Sequence, residues 1–181
     1  MSSQISLFFK KFDSMYGEIL ILWKLRDELP KINKISLGKR SPTAVRAMEE
    51  RSCRTIYATI RDIHDFFSGE IVEFDLDVID LDVCTKFQRK VILSEYAIPR
   101  GYVSTYKRIA NHIERPDAAR AVGNALSTNP FPIIIPCHRA IKSDGSLGGY
   151  QGGIRMKYLL LEMEGIRFKN DQKALLDRVY Y

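Results

Sequence analysis

Apolar residues gather in short runs near the start of the chain, Ile5 to Phe9, Ile19 to Leu25 and Ile32 to Leu37, separated by Tyr16-Gly17 and by Leu29-Pro30-Lys31. Runs of that length bounded by turn residues predict a small sheet. Ser41-Pro42 then offers a cap followed by a proline suited to the first helical position. Val45, Met48, Ser52, Ile56, Ile60, Ile63 and Phe67 recur at helical spacing up to Ser68-Gly69, which predicts one long helix beside the sheet. Between Glu70 and Val83 acidic and apolar residues alternate, as in Phe74-Asp75-Leu76-Asp77-Val78, and the segment reads as strand and linker.

From Thr85 the pattern turns helical. Thr85 and Gln88 form a capping box ahead of Phe87, Val91 and Leu93, and that helix must end before Pro99. Ser104 can cap a helix with Tyr106, Ile109, Ala110 and Ile113 as its apolar stripe. The connection Glu114-Arg115-Pro116-Asp117 opens another helix that runs to about Ser127. In that helix Ala119, Val122 and Leu126 are expected to face the core, with Ala118, Ala121, Asn124 and Ala125 on a smooth outer face. Two short helices so closely joined are a helix-turn-helix candidate, though the pattern alone favours two ordinary packed helices. Ile133-Ile134-Ile135 predicts a buried strand that leads into Pro136-Cys137-His138-Arg139. Ser143-Asp144-Gly145-Ser146 reads as a hairpin tip, Gly148 to Gly153 as a flexible loop, Ile154 to Glu164 as a helix closed by Gly165, and Lys173 to Arg178 as a short helix in the tail. The expected architecture is a small α/β domain with its linker over residues 1–83 and a mainly α domain over residues 84–181. No internal repeat is visible.

Composition narrows the functional classes. An apolar fraction of 45% over 181 residues supports a folded core. No apolar run approaches the ~20 residues of a membrane span, and the absence of a basic, apolar leader makes an intracellular compartment the expectation. Cys53, Cys84 and Cys137 are an odd number at wide spacing, which fits neither a disulfide framework nor a paired-cysteine zinc site. The net charge is +6, and nearly all of the excess lies between Gly101 and Leu160. Such a patch suits a polyanion such as nucleic acid, and it suits plain solubility as well.

Cys137 is the candidate nucleophile. A cysteine reacts as thiolate, which nearby positive charge, a base or a helix terminus makes available, and His138 and Arg139 adjoin it. Neighbours in extended chain point to opposite faces, so direct transfer of a proton from Cys137 to His138 requires a turn or an intervening water. A buried structural cysteine fits these residues equally. Glu164, at the unfavourable end of a helix dipole, calls for a compensating partner, and a histidine could serve.

The run Asn129-Pro130-Phe131-Pro132-Ile133-Ile134-Ile135-Pro136-Cys137-His138-Arg139, with Arg120-Ala121-Val122-Gly123 before it and Gly148-Gly149-Tyr150 after it, resembles the O6-alkylguanine-DNA alkyltransferases. Order and spacing also match at Tyr106 and at Glu164-Gly165, so the resemblance covers Phe87 to Arg167. It implies a winged helix-turn-helix that enters the minor groove of double-stranded DNA containing O6-alkylguanine. The damaged nucleotide is flipped out because O6 is unreachable within the stack. It further implies irreversible, stoichiometric transfer of the alkyl group to Cys137 as DNA repair by direct reversal. Cys137, His138 through a water, and Glu164 correspond to the relay, Tyr106 to the donor onto the guanine ring N3, and Asn129 to a brace of the site. Arg120 corresponds to the arginine that fills the gap in the duplex.

Ala121, Gly123 and Asn124 lie on the same DNA-facing helix, Arg115, Lys107 and Ser143 correspond to backbone contacts, and Tyr150, Gly149 and Gln151 to the alkyl pocket. Gln151 and Tyr102 depart from residues frequent in relatives, which bears on pocket size. No counterpart of the zinc site of some members is found, so no metal and no cofactor is expected. The implied protein is a monomer of the cytoplasm, or of the nucleus in a eukaryotic cell. Relatives that only mark the lesion lack the cysteine, an alkylation-activated transcription factor would carry a further cysteine-rich domain, and a cysteine hydrolase would need an oxyanion motif that is not evident.

Overall fold

The structure, a computed structural model, describes residues 7–38, 48–170 and 173–181. Its contacts divide the chain into two compact units, Met1–Val83 and Cys84–Tyr181.

The first unit is built on β1 (Phe8–Ser14), β2 (Gly17–Arg26), β3 (Leu29–Leu37) and β4 (Glu49–Glu50), in the sheet order β3-β2-β1-β4. β1, β2 and β3 are joined antiparallel, whereas β4 runs parallel to β1. Asp27 and Glu28, both at positive φ, form the two-residue turn between β2 and β3. The expected break at Leu29-Pro30-Lys31 is therefore already strand. Pro30 is tolerated because β3 lies at the sheet edge, where a missing N–H costs no ladder bond. Ile19 to Trp23 of β2 are all buried, as befits a central strand covered on both faces.

α1 (Arg54–Phe67) buries Ile56, Thr59, Ile63, Phe66 and Phe67. It starts later than the spacing predicts: Met48 and Ser52 lie outside it, and Glu49–Glu50 pairs with Phe8 and Phe9 instead. Ser41, Pro42 and Val45 fall outside the described residues. The acidic stretch from Glu70 forms no strand but two short 3-10 turns, Leu76–Val78 and Leu81–Val83. The cause is Asp80, which is buried against Lys24 (2.7 Å) and Arg26 (3.1 Å) while its N–H donates to the Ile32 carbonyl. The charges tie this segment to β2 and β3.

The second unit contains α2 (Lys86–Tyr96), β5 (Ser104–Thr105), α3 (Tyr106–His112), α4 (Ala119–Ser127), β6 (Ala140–Ile141), α5 (Ile154–Met163), β7 (Phe168–Asn170) and β8 (Lys173–Ala174). Thr85 caps α2 by accepting from the Gln88 N–H, as the sequence predicts. The Gln88 side chain does not return to Thr85; it donates to the Ala125 and Thr128 carbonyls and so ties α2 to the end of α4. Thr105 rather than Ser104 caps α3, since the Ser104 hydroxyl is engaged with the Tyr180 carbonyl. α2, α3 and α4 pack together. Ala125 is buried there rather than on the outer face of α4, where Arg120, Ala121 and Asn124 are exposed. The tail holds the β7–β8 pair in place of the expected helix. Val103, Ile141, Leu147, Leu161, Ile166 and Ala174 form a buried cluster that draws the tail into the core. Among the described residues no helix is long and apolar enough to cross a membrane.

Candidate active site

The segment that delivers Cys137 is a chain of tight turns, not the expected strand. Ile133 and Ile134 form a turn closed by the Ile135 N–H on the Phe131 carbonyl at 2.8 Å, and Ile133 takes φ +77. A β-branched residue in the left-handed region is strained by about 1–3 kcal/mol. Asn129 holds this shape: its side-chain oxygen accepts from the Phe131 N–H at 3.0 Å and its amide donates to the Ile135 carbonyl at 3.4 Å. Pro136, at φ −77 and ψ 54, then makes an inverse γ-turn closed by the Cys137 N–H on the Ile135 carbonyl at 2.7 Å. Cys137–Arg139 follows as one 3-10 turn. Burial of Ile133, Ile134 and Ile135 anchors the whole segment.

Glu164 is placed by the end of α5. Gly165, at φ +85, follows it, and the Ile166 N–H folds back onto the Leu161 carbonyl at 3.0 Å, a helix stop that glycine accommodates without strain. The Glu164 carboxylate meets His138 Nε2 at 3.0 Å, with both side chains buried. Arg139 adds a two-pronged contact, Nε to Oε2 at 2.9 Å and Nη2 to Oε1 at 2.7 Å, and its Nη1 donates to the Ile98 carbonyl. Burial alone would push Glu164 up, yet His138 and Arg139 outweigh it and hold it down to about 2. Burial also lowers His138, which favours the neutral ring. With Glu164 on Nε2, the neutral ring carries its proton there and its lone pair on Nδ1.

Cys137 is buried, and desolvation pushes its thiol up to about 11 against the opposing contact from Asn129. The resting group is therefore the thiol, and a nucleophile has to be generated by removing its proton. Tyr106, half-buried at the start of α3, is pushed up to about 12 by burial and stays a hydroxyl donor. A side chain at Gly148 would place its Cβ 2.7 Å from the Tyr106 oxygen, so that glycine, at φ +70, makes room for the phenol. Tyr150 stands edge-on to His138 with centroids 6.3 Å apart.

Thus Cys137, His138, Glu164, Asn129, Tyr106 and Tyr150 converge, with Gly149 close by through Lys157, whose Nζ lies 3.5 Å from its carbonyl. Gln151 is exposed on the neighbouring turn. Gly123 faces the Tyr106 ring, which a Cβ at that position would meet at 3.9 Å, while Arg115, Arg120, Ala121 and Asn124 are exposed around α4. Lys107 and Ser143 are exposed too, and both line a separate groove of about 930 Å³ with Arg108, His112, Asp177 and Tyr181. Among the described residues no group of three or more His, Cys, Asp or Glu is placed to hold a metal ion.

Three charged residues at the site escape a reading of the sequence by function: Arg139 as the second partner of Glu164, and the fully buried Lys157 and Glu95. Each of the latter two does leave a signal, a charge on an apolar stripe. Glu95 continues Val91 and Ile92 on α2, and Lys157 precedes Leu160 and Leu161 on α5.

Residues 86–166 match the model of the 6-O-methylguanine DNA methyltransferase DNA-binding domain. The chain is 49% identical over 104 residues to the methylated-DNA–protein-cysteine methyltransferase of Methanothermobacter thermautotrophicus, and the match spans 58% of each chain. It is similar in fold to the crystal structure of the Mycobacterium tuberculosis O6-methylguanine methyltransferase, with a TM-score of 0.74 and 33% identity over 87% of this chain and 92% of that one. The Mycobacterium tuberculosis OGT in complex with DNA is matched with the same coverage and identity, at a TM-score of 0.73. Together with the buried Cys137, His138 and Glu164, these likenesses place the chain in the methylated-DNA–protein-cysteine methyltransferase family.

Proposed function

We propose that this protein repairs double-stranded DNA by taking the alkyl group from O6 of guanine onto Cys137, once and irreversibly. The observation that carries the reading is the buried contact of His138 Nε2 with Glu164 directly beside the cysteine turn. In the reaction the Cys137 proton passes through a water to Nδ1 of His138, and Glu164 stabilises the imidazolium that forms. The sulfur attacks the alkyl carbon, an S–C bond forms and the C–O6 bond breaks with its electron pair going to guanine. Tyr106 gives its proton to ring N3 as that negative charge develops, so the base departs neutral, and the proton held on His138 then returns through water to restore the Tyr106 hydroxyl. Arg139 keeps Glu164 ionised and oriented for this task. The products are unmodified guanine and a thioether, and the sum of protons is unchanged.

α3 and α4 act as the helix-turn-helix of a winged domain, α4 entering the minor groove. The exposed Ala121 and Asn124 with the small Gly123 let the helix backbone approach closely, and Arg120 fills the space of the flipped nucleotide. Arg115, Lys107 and Ser143 contact phosphates. Tyr150, Gly149 and Gln151 bound the alkyl pocket. The protein acts as a monomer within the cell, without cofactor.

Two substitutions test this reading. Arg120→Ala should slow repair of duplex DNA by roughly ten-fold or more while leaving transfer from free O6-methylguanine unchanged, because the free base needs no flipping. Equal losses on both substrates would assign Arg120 to the fold. Tyr106→Phe keeps the ring and removes the donor, so single-turnover transfer should fall roughly ten-fold or more at nearly constant DNA affinity. An unchanged rate would return Tyr106 to a packing role.

A further inference from the structure

Behind the cysteine turn lies a buried carboxyl that the reaction above does not use. Glu95 is fully inaccessible on α2, and among the described residues neither of its carboxyl oxygens has a well-aligned hydrogen bond. It faces the Ala140 N–H. Lys157, equally buried on α5, donates to the carbonyl of that same residue at 2.5 Å. A carboxyl and an ammonium therefore flank Ala140, the residue by which the chain leaves the Cys137–Arg139 turn.

A carboxylate in such surroundings is costly to form, whereas the neutral acid is not. Burial pushes Glu95 up to about 8 in spite of Lys157 and Arg139, and pushes Lys157 down to about 8. The groups that sense Glu95 come from every side: Lys157 on α5, Arg139 and Cys137 in the turn, Tyr106 on α3 and Tyr181 in the tail. Ionised Glu95 opposes the Cys137 thiolate, and charged Lys157 supports it.

We infer that Glu95 is a positioning residue that gates the Cys137 nucleophile by charge: as the neutral acid it permits the thiolate to form, and on losing its proton it holds Cys137 as the thiol. The inference rests on Cys137 being the nucleophile of the proposed reaction. Glu95→Gln keeps the shape and cannot ionise. If Lys157 is charged in both proteins the thiolate is favoured, and if, as near pH 9, it is neutral in both, only the repulsion from Glu95 is removed. Both cases give the same sign.

The test follows alkylation of Cys137 by iodoacetamide, mapped by peptide mass, from about pH 6 to about pH 9, beside single-turnover methyl transfer from DNA. Glu95→Gln should match the wild type below about pH 7 and react roughly three-fold or more faster near pH 9, the effect of a half-unit change in a neighbouring thiol. Coincident profiles, or a constant offset at all pH values, would overturn the inference. Should the glutamine variant fail to fold, Glu95→Leu gives the same comparison with a neutral side chain of similar volume. Linkage adds a readout free of chemistry. A carboxyl raised from about 4.5 to about 8 stabilises the fold at low pH and loses that contribution as pH rises through this window, so Glu95→Gln should gain in melting temperature relative to wild type between those limits. The thiol measurement needs no DNA. Failure of the wild type to accept a methyl group from DNA would remove the proposed function and with it the role of Glu95 in that reaction, whereas transfer with coincident thiol profiles would remove only the role of Glu95.

Discussion

Replacing Glu164 by glutamine is expected to slow alkyl transfer on the order of a hundred-fold or more and to destabilise the second unit by about 3–5 kcal/mol. The carboxylate accepts from His138 Nε2 and from two nitrogens of Arg139; the Glu164 and His138 side chains are fully buried and that of Arg139 is mostly so. Glutamine offers one oxygen and an NH2 group, so one of the donors loses its acceptor and meets another donor instead. The guanidinium cannot shed its charge and is left largely buried without the Glu164 counter-ion. The same change removes the charge that would stabilise the His138 imidazolium. The pH dependence carries its own sign: Glu164 is held from about 4.5 down to about 2, so its stabilising contribution is complete above about 4.5 and is lost as pH falls through about 2. Urea melts across that acid range should therefore converge for wild type and variant, while differing at neutral pH. Unaltered transfer by a folded Glu164→Gln would exclude the carboxylate from the relay.

The features legible in the sequence are those fixed by local rules. The apolar runs that form β2 and β3, the Thr85 cap and the glycine stop after Glu164 all depend on residues near one another, whereas of the first run, Ile5 to Phe9, only Phe8 and Phe9 enter β1 and Ile5 lies outside the described residues. What is not legible depends on partners far along the chain. Glu49–Glu50 pairs with β1 rather than joining α1, and Asp80 draws a strand-like acidic run toward Lys24 and Arg26. The isoleucines before Cys137 have the composition of a strand, yet the Asn129 side chain and a positive φ at Ile133 turn them sharply. Cys137, His138 and Glu164 are singled out together by the family resemblance that the long run around the cysteine carries, whereas their spacing alone fits a structural cysteine as well. Arg139 as the partner of Glu164 cannot, since its reach across 25 positions is decided by packing. Glu95 and Lys157 are visible only as charges out of place on apolar stripes.

The largest effect of all is expected at Cys137 itself. Its thiol is buried and pushed up to about 11, so the resting protein should react only slowly with ordinary solution alkylators until the histidine takes the proton with a substrate in place. Cys137→Ala should fold, since alanine only removes one sulfur from a segment anchored by three isoleucines, and it should still bind alkylated duplex while leaving the lesion intact. The most direct measurement is the intact mass of the wild-type protein after incubation with excess O6-methylguanine DNA and no added metal, followed by mapping of the modified peptide. The expected result is a gain of one methyl group per molecule, located on Cys137, with Cys53 and Cys84 unmodified and no second turnover. Continued repair by an unmodified protein, a methyl group on another residue, or binding without any mass change would contradict it.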